Sequence, residues 1–138
     1  MPTSADLLLD SSAALALVNP KSAQRAGVLE RVHGHRIGLA GHAEFETYSV
    51  LTRLPAPSRI TPTEARAILT TTFPATVHLG NVDRRGALNA LVDAGIAGGA
   101  VYDGLVALAA AAADCLLLSC DRRAAGTYQA LGVRFESL

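Results

Sequence analysis

The sequence predicts an α/β fold in which a mostly parallel sheet of about five strands is covered by helices on both faces. Short apolar runs of strand length alternate with longer segments in which apolar residues recur at helical spacing. Strands separated by helices pair in parallel, because the crossover returns the chain to the same end of the sheet. Half of the 138 residues are hydrophobic, which suffices for one sizeable core. We therefore expect residues 1–138 to form a single domain.

The first half of the chain divides into two predicted strands and three predicted helices. In order, these are a strand at 7–9, a helix through 13–17, a helix at about 22–32, a strand at 36–39 and a helix at 42–54. Asn19-Pro20 ends the first helix and Pro55 ends the third, because proline has no amide hydrogen with which to continue a helix. Gly34 stops the second helix.

The second half continues the alternation and finishes on a strand. The predicted elements are a helix from about 61 to 73, a strand at 76–79, helices at 83–94 and 101–113, a strand at 116–119, a helix at about 121–131 and a strand at 133–135. A threonine, Thr61 or Thr63, caps the first of these helices, and Pro62 suits its first turn. Gly132 is the expected C-terminal cap of the last helix.

The charged residues give the whole molecule no strong attraction to a polyanion. Twelve Lys and Arg residues balance twelve Asp and Glu residues, so the formal net charge is zero and any polyanion site must be local. Lys21 is the only lysine, and the other basic side chains are arginines, which can donate two hydrogen bonds to one phosphate. A compositional bias that also enriches alanine explains the arginines at least as well.

Three features predict a cytoplasmic protein with no membrane segment. Cys115 and Cys120 lack metal-type spacing and are typical of reduced thiols. Residues 1–6 lack the basic start and apolar stretch of a signal peptide. The apolar segment 96–113 is interrupted by Tyr102-Asp103 and is rich in Gly and Ala, so we do not expect it to span a membrane.

Carboxylates lie at the joints of the predicted strands and helices. Asp10 follows the first strand, Asp103 opens an Ala-rich helix, and Asp121 follows the strand at 116–119. Because ligands bind at the carboxyl ends of the strands in an open α/β sheet, acids collected there are placed to hold a divalent cation over a substrate. An all-carboxylate ligand set favours Mg²⁺ or Mn²⁺ over Zn²⁺. The pattern therefore indicates metal-dependent chemistry on a phosphate ester.

Each acid also has a purely structural explanation. Asp10 and Asp121 each stand where a strand gives way to a helix, and an Asp there is as often a helix N-cap. Asp103 lies in line with the apolar positions 106, 107 and 110, where an unpaired charge would be costly to bury. It is also explained as a first-turn acid favoured by the helix dipole. In the helix at 42–54, Glu44 and Glu46 flank the same apolar stripe, and periodicity does not choose between them.

Four segments of the chain carry a family resemblance that covers essentially its whole length. They are Leu8-Leu9-Asp10-Ser11-Ser12-Ala13, residues 42–55, Val101-Tyr102-Asp103-Gly104-Leu105-Val106-Ala107, and Leu117-Leu118-Ser119-Cys120-Asp121-Arg122-Arg123-Ala124 with Tyr128 and Leu131-Gly132-Val133 behind it. In this order and with these acids, the chain resembles the PIN-domain ribonuclease toxins of the VapC type. The resemblance implies a PIN domain, a Rossmann-like fold with a Mg²⁺- or Mn²⁺-dependent endoribonuclease site.

The resemblance also implies roles for individual residues. The catalytic and metal-binding acids are Asp10, Glu46, Asp103 and Asp121, which selects Glu46 over Glu44. Ser119 matches the small hydroxyl residue near the last acid, and Ser12 is a possible further supporting residue. Independently of the resemblance, an acidic pocket cannot attract RNA unaided, so the metal and some of the arginines at its rim must contribute: Arg53, Arg84, Arg85, Arg122 and Arg123, of which Arg53, Arg122 and Arg123 are the candidates for RNA contact. Cys120 departs from the family pattern, where a polar or basic residue is common. Family members are usually inhibited by a cognate VapB antitoxin and commonly form homodimers.

Three alternative functions use a similar arrangement of acids. A Mg²⁺-dependent phosphatase of the haloacid-dehalogenase type would also place Asp10 at a strand end, but Ser12 stands where its second acid belongs. A receiver module requires a lysine late in the chain, and Lys21 is early. A catalytically weak PIN module that binds RNA or regulates a partner is compatible with the sequence. We expect hydrolysis of RNA by water that a metal at these acids activates.

Overall fold

The fold is known from a computed structural model that describes residues 5–138. Residues 1–4 lie outside the described range; they are part of the segment 1–6 from which we predicted that a signal peptide is absent. The side chain of Val82 is not described either. The elements are β1 (Leu7–Leu9), α1 (Ser11–Val18), α2 (Arg25–Val32), β2 (Ile37–Leu39), α3 (Ala43–Arg53), α4 (Pro62–Thr72), α5 (Asn81–Asp93), α6 (Ala100–Ala112), β3 (Leu116–Ser119), a 3-10 turn (Arg122–Ala124), α7 (Ala125–Ala130) and β4 (Phe135–Ser137).

The described strands form one parallel sheet in the order β2-β1-β3-β4. Central strand β1 pairs with β2 on one side, Leu8 opposite Gly38, and with β3 on the other, Leu8 opposite Leu117. Strands that follow one another in the chain are connected through helices, which confirms the predicted α/β class with a parallel sheet. Because all strands run the same way, their carboxyl ends lie along one edge of the sheet.

The fifth predicted strand, at 76–79, is wrong as a full strand, because it forms a single isolated bridge between Ala40 and Val77 beside β2. The reason is local hydrogen bonding by Thr76. The amide of Leu39 donates to Thr76 Oγ1 at 3.0 Å, so a side chain takes the place of the carbonyl that a regular ladder would offer. The hydroxyl in turn donates to the Phe73 carbonyl at 3.1 Å, which ties it to the preceding turn.

Gly38 is the residue that allows this segment to lie against β2. A Cβ atom at Gly38 would overlap the main chain of Ala75 and Thr76. The close approach is secured by the Ala75 amide, which donates to the Ile37 carbonyl at 3.1 Å. A glycine inside a strand is expected where another backbone comes this near.

The predicted helix at 121–131 is also corrected, because the chain first makes the 3-10 turn and only then forms α7. Asp121 is extended, with φ −114° and ψ 103°, and its side chain accepts a hydrogen bond from the Arg123 amide. After α7, Gly132 adopts φ 69° and the Val133 amide caps the Tyr128 carbonyl at 3.2 Å. This capping loop moves the last strand to Phe135–Ser137, two residues later than predicted.

The core lies on both faces of β1 and β3. Leu8, Leu9, Leu117 and Leu118 are completely buried, as expected for central strands covered on both sides. The Ala-rich face of α6 packs on this core, where small side chains allow close approach. Within residues 5–138 none of the helices combines the length and hydropathy needed to cross a membrane.

Candidate active site

Asp10 lies at the carboxyl end of β1 and is buried, with 4% of its surface exposed. Its amide still donates to the Leu118 carbonyl of β3 at 3.1 Å, so the sheet fixes its main chain. Its Oδ1 accepts the Ala13 amide at 3.0 Å and caps the N-terminus of α1. The cap explanation of Asp10 is thus correct, and it does not compete with a site role, because the same cap orients the carboxylate.

Ser12 joins Asp10 to the neighbouring strand. Its hydroxyl donates to Asp10 Oδ1 at 2.5 Å and accepts the Cys120 amide at 2.8 Å. It also lies 3.5 Å from the hydroxyl of Ser119, which is buried at the end of β3. The hydroxyls of the two serines therefore connect the ends of β1 and β3 beside the acids.

Tyr128 holds the other oxygen of Asp10. The phenol of this completely buried residue donates to Asp10 Oδ2 at 2.7 Å, and its ring packs edge-on against Phe135 at 5.5 Å. Burial first, and then the Asp10 charge, raise the pKa of Tyr128 far above its ordinary value, so the phenol stays a hydrogen-bond donor. Both oxygens of Asp10 are consequently fixed in direction.

Glu46 approaches Asp10 through the first residue of α1. Ser11, next to Asp10 in the chain, donates a short hydrogen bond from its hydroxyl to Glu46 Oε1. Glu46 lies in the first turn of α3 and is exposed. Glu44 instead accepts a hydrogen bond from His78 Nε2 at 2.8 Å. The structure therefore places Glu46, and not Glu44, beside the residues that hold Asp10.

Burial and the negative charges of the other three acids both affect the pKa of Asp103. Burial is the largest cause that raises the pKa of the Asp103 carboxyl above its ordinary value. The negative charges of Glu46, Asp10 and Asp121 raise it further, in that order. The smaller influence of Arg123 acts in the opposite direction. Helix α6 thus delivers a half-buried carboxylate, from its first turn, into the field of the other acids.

Asp121 follows β3 and is held by its neighbours. Its amide donates to Ser119 Oγ at 3.1 Å, and its Oδ1 accepts the Arg123 amide at 2.9 Å. The guanidinium of Arg123 lies 3.4 Å from the same oxygen, although 94% of that side chain is exposed. This acid, too, caps a turn, and its charge adds to the burial that raises the pKa of Asp103.

Few positively charged groups lie beside the four acids to compensate their charge. Among the described residues 5–138, Asp121 is the one of the four that takes part in an ion pair, and its partner Arg123 is almost fully exposed. Carboxylates gathered in this way repel one another, and a hard cation is the natural counterion for oxygen ligands. Besides burial, which is the larger cause, repulsion by the other three acids raises the pKa of Asp103.

The donor set fits Mg²⁺ or Mn²⁺ by its chemistry. Over the part of the chain that is described, no group of three or more His, Cys, Asp or Glu side chains is arranged so that together they could hold a metal ion. A magnesium ion does not require such a group, because it is usually held through one or two carboxylates and keeps several waters. Asp10 accepts three hydrogen bonds in total, which leaves lone-pair capacity on its Oδ2 for an ion.

The three arginines predicted near RNA occupy different positions. Arg123 is adjacent to Asp121, and Arg122 is exposed on the same 3-10 turn. Arg53 lies at the far end of α3, two helical turns beyond Glu46, where its guanidinium donates to Ser49 Oγ at 2.8 Å. The structure therefore groups Arg122 and Arg123 with the acids and leaves Arg53 apart.

Two residues of the site carry contacts that the sequence did not assign to them. Ser11 links Glu46 to α1, and Tyr128 secures Asp10 from α7. The available signals were the position of Ser11 directly after Asp10 and the need of a buried tyrosine for a hydrogen-bond partner. Neither signal names the partner, because the contacts join residues far apart in the chain.

The chain is similar to known proteins in sequence and in fold. No protein-family model matches the chain. Over 127 residues it is 41% identical to Ribonuclease VapC27 of Mycobacterium tuberculosis (strain ATCC 25618 / H37Rv), covering 92% of this chain and 93% of that protein. It is 44% identical over 101 residues to Ribonuclease VapC40 of the same species, covering 72% and 75% respectively. The crystal structure of PAE2754 from Pyrobaculum aerophilum matches its fold with a TM-score of 0.60 at 19% identity, over 96% of this chain and 92% of that one.

Proposed function

Because this chain belongs to the VapC family of ribonucleases and has a PIN-type α/β fold, we propose that it is a metal-dependent endoribonuclease and the toxin of a type II toxin–antitoxin system. The observation that supports the metal-dependent part is the placement of four carboxylates: Asp10 and Asp121 follow β1 and β3, and Glu46 and Asp103 lie in the first turns of α3 and α6. Within the described residues, the four take part in a single ion pair, to the exposed Arg123. A phosphatase or a receiver module would leave the similarity to ribonucleases unexplained.

In this proposal Asp10, Asp103 and Asp121 hold Mg²⁺ or Mn²⁺, with Glu46 binding the ion or its water. The ion supplies two things when bound: it lowers the pKa of water and offsets negative charge on the phosphoryl and leaving oxygens. RNA is cleaved by hydrolysis: the oxygen of water bonds to phosphorus as the bond from phosphorus to the 3′-oxygen breaks, which leaves a 5′-phosphate on one product and a 3′-hydroxyl on the other.

The side chains of this protein contribute orientation and proton transfer. Ser12 and Tyr128 fix the two oxygens of Asp10, so that carboxylate does not rotate when charge builds up at the phosphate. Ser11 holds Glu46 toward α1, and the exposed carboxylate of Glu46 is placed to accept a proton from the attacking water. Arg122 and Arg123 neutralise part of the phosphate charge at the rim.

The family further supports proposals about partners. We infer that a VapB-type antitoxin inhibits the enzyme, that two copies form a homodimer, and that the protein acts in the cytoplasm. The whole chain, residues 1–138, acts as a single PIN domain in this proposal.

The decisive experiment compares wild type with Asp10→Asn in cleavage of cellular RNA with Mg²⁺, followed by mapping of the new 5′ ends. Asn still caps α1, so the variant is expected to fold and yet to lose cleavage. Asp93→Asn, an exposed acid on α5, is the matched control and should cut as wild type does. Metal-dependent cleavage by Asp10→Asn at the wild-type rate would refute the assignment.

A further inference from the structure

A row of exposed aromatic rings lies beside the acids and has no role in the mechanism above. It consists of Tyr102, His42, Phe45 and His78, which we call the aromatic strip. Phe45 is 60% exposed and Tyr102 is 59% exposed, although large apolar side chains are normally covered. An exposed cluster of this kind marks an interaction site.

The aromatic strip lies at the same edge of the sheet as the acids. Phe45 precedes Glu46 in the first turn of α3, and Tyr102 precedes Asp103 in the first turn of α6. His78 directly follows Val77, the residue that bridges to Ala40 at the end of β2. A ligand that reaches the acids therefore passes over or beside these rings.

The geometry of the aromatic strip leaves ring surface free for a ligand. Consecutive ring centroids are 6.4 Å apart from Tyr102 to His42, 6.4 Å from His42 to Phe45 and 5.5 Å from Phe45 to His78. The interplanar angles of 50°, 74° and 42° exclude parallel stacking among the rings themselves. Glu44 fixes the last ring by its 2.8 Å contact with His78 Nε2.

The strip ends at a cleft between α3 and α4. Phe45 and Tyr48 form the aromatic part of its wall, while Arg66 supplies a cationic group and Glu44 an anionic one. The cleft has a volume of about 340 Å³, in the range of sites that hold small organic groups. The aromatic part of this wall suits a planar base.

Electrostatics explains why an RNA ligand would need such a strip. The chain has no formal net charge, and four carboxylates at the site do not attract phosphate. Affinity for RNA must then come partly from contacts that do not depend on charge. Stacking of unpaired bases on aromatic side chains is such a contact, and it is tolerant of sequence.

We propose that the aromatic strip is a base-stacking subsite, through which single-stranded RNA next to the cleaved phosphate is held at the acids. This inference rests on the proposed ribonuclease function and adds its substrate-positioning surface. Phe45 and Tyr102 are positioning residues that carry adjacent bases, and His42 and His78 complete the surface between and beyond them.

The test measures binding separately from cleavage. A fluorescein-labelled single-stranded oligoribonucleotide is titrated with protein in Ca²⁺ in place of Mg²⁺, and fluorescence anisotropy gives the Kd. Phe45→Ala and Tyr102→Ala should each raise the Kd about tenfold, as expected for the loss of one stacked base. Phe45→Tyr should restore binding. Leu88→Ala removes an equally exposed apolar side chain, 64% exposed on α5, and should leave the Kd unchanged.

A second oligoribonucleotide with abasic positions sharpens the comparison. It should bind wild type more weakly than the normal oligoribonucleotide does, and it should bind Phe45→Ala with the same Kd as wild type, because it offers no base that could stack on Phe45. Suppose that both alanine variants bind the normal oligoribonucleotide as wild type does, while wild type cleaves RNA and Asp10→Asn does not. That result would contradict the base-stacking subsite and leave the proposed ribonuclease function standing. If these variants bind RNA normally but lose self-association in sedimentation, the strip is a protein interface and the proposal is wrong. If wild type neither binds nor cleaves RNA, the proposed function itself fails.

Discussion

The Tyr128 hydroxyl donates a 2.7 Å hydrogen bond to Asp10 Oδ2, and both side chains are buried. The contact joins α7, near the end of the chain, to the first strand. Because Ser12 and the Ala13 amide bind the other oxygen, Asp10 is held from two directions. The acid at the centre of the site is therefore positioned by residues that do not face the substrate.

Tyr128→Phe should separate this positioning role from packing. The ring still fills its site, but the donor to a carboxylate is lost, so the free energy of unfolding should fall by about 2 kcal/mol. Urea unfolding measures this change, and Tyr48→Phe is the control on α3. Cleavage by Tyr128→Phe should persist at a lower kcat and need more Mg²⁺ for half-maximal rate. Equal stability and equal Mg²⁺ requirement would show that the hydrogen bond is dispensable.

The two glutamates of α3 provide a matched pair. Glu46→Gln should lower kcat by at least about a hundredfold, the usual loss when a group that handles a proton is removed. Glu44→Gln keeps an oxygen to accept the His78 hydrogen bond and should cut at close to the wild-type rate. Single-turnover cleavage of the same RNA by both variants measures the difference. The reverse ranking would assign the second acid to Glu44.

Asp103 should make the metal-free protein less stable as the pH rises. Its pKa is raised in the folded state, so the folded state binds more protons than the unfolded chain between the ordinary aspartate value, about 3.9, and the raised value. Unfolding free energy from this group therefore falls as pH increases through that window. In EDTA, Asp103→Asn should melt above wild type at neutral pH, and the difference should shrink below the window. A variant that melts lower than wild type at neutral pH contradicts this electrostatic picture.

Added metal should relieve the same repulsion. At a Mg²⁺ concentration about one hundred times its Kd, the folded state should gain about 2.7 kcal/mol, which raises Tm. EDTA should stop cleavage, and Mn²⁺ or Mg²⁺ should restore it. Thermal scans of wild type and Asp10→Asn with and without Mg²⁺ report the binding without reference to activity. An Asp10→Asn variant with the full wild-type shift would place the ion elsewhere.

The sequence was sufficient for the central elements of the fold. Strands at 7–9 and 116–119 were recognisable as buried apolar runs, and Pro55 and the cap at Thr61 marked the ends of long helices. The segment 76–79 was misjudged because its apolar residues resemble a strand, while a threonine hydroxyl interrupts the ladder. The break after Asp121 depends on a side-chain cap that periodicity does not register.

The candidate site could be predicted by residue type but not by contact. The carboxylates follow the strands in the printed sequence, whereas the choice between Glu44 and Glu46 required a family resemblance. The structure supplies a physical difference between the two glutamates, because Glu46 accepts a hydrogen bond from Ser11 whereas Glu44 accepts one from His78. Such partners are far apart along the chain, and no local pattern encodes them.

Because Gly38 contacts the Ala75–Thr76 main chain, this protein is sensitive to substitution at a residue that takes no part in the chemistry. One methyl group there would push aside the segment that leads to His78, while every carboxylate stayed chemically unchanged. Inactivating alleles selected in cells should therefore arise at this glycine as well as at the acids. Only alleles at Gly38 should be suppressed by a second substitution elsewhere. A displaced backbone can be accommodated by changes in its neighbours, whereas a lost carboxylate of the site cannot be replaced in this way.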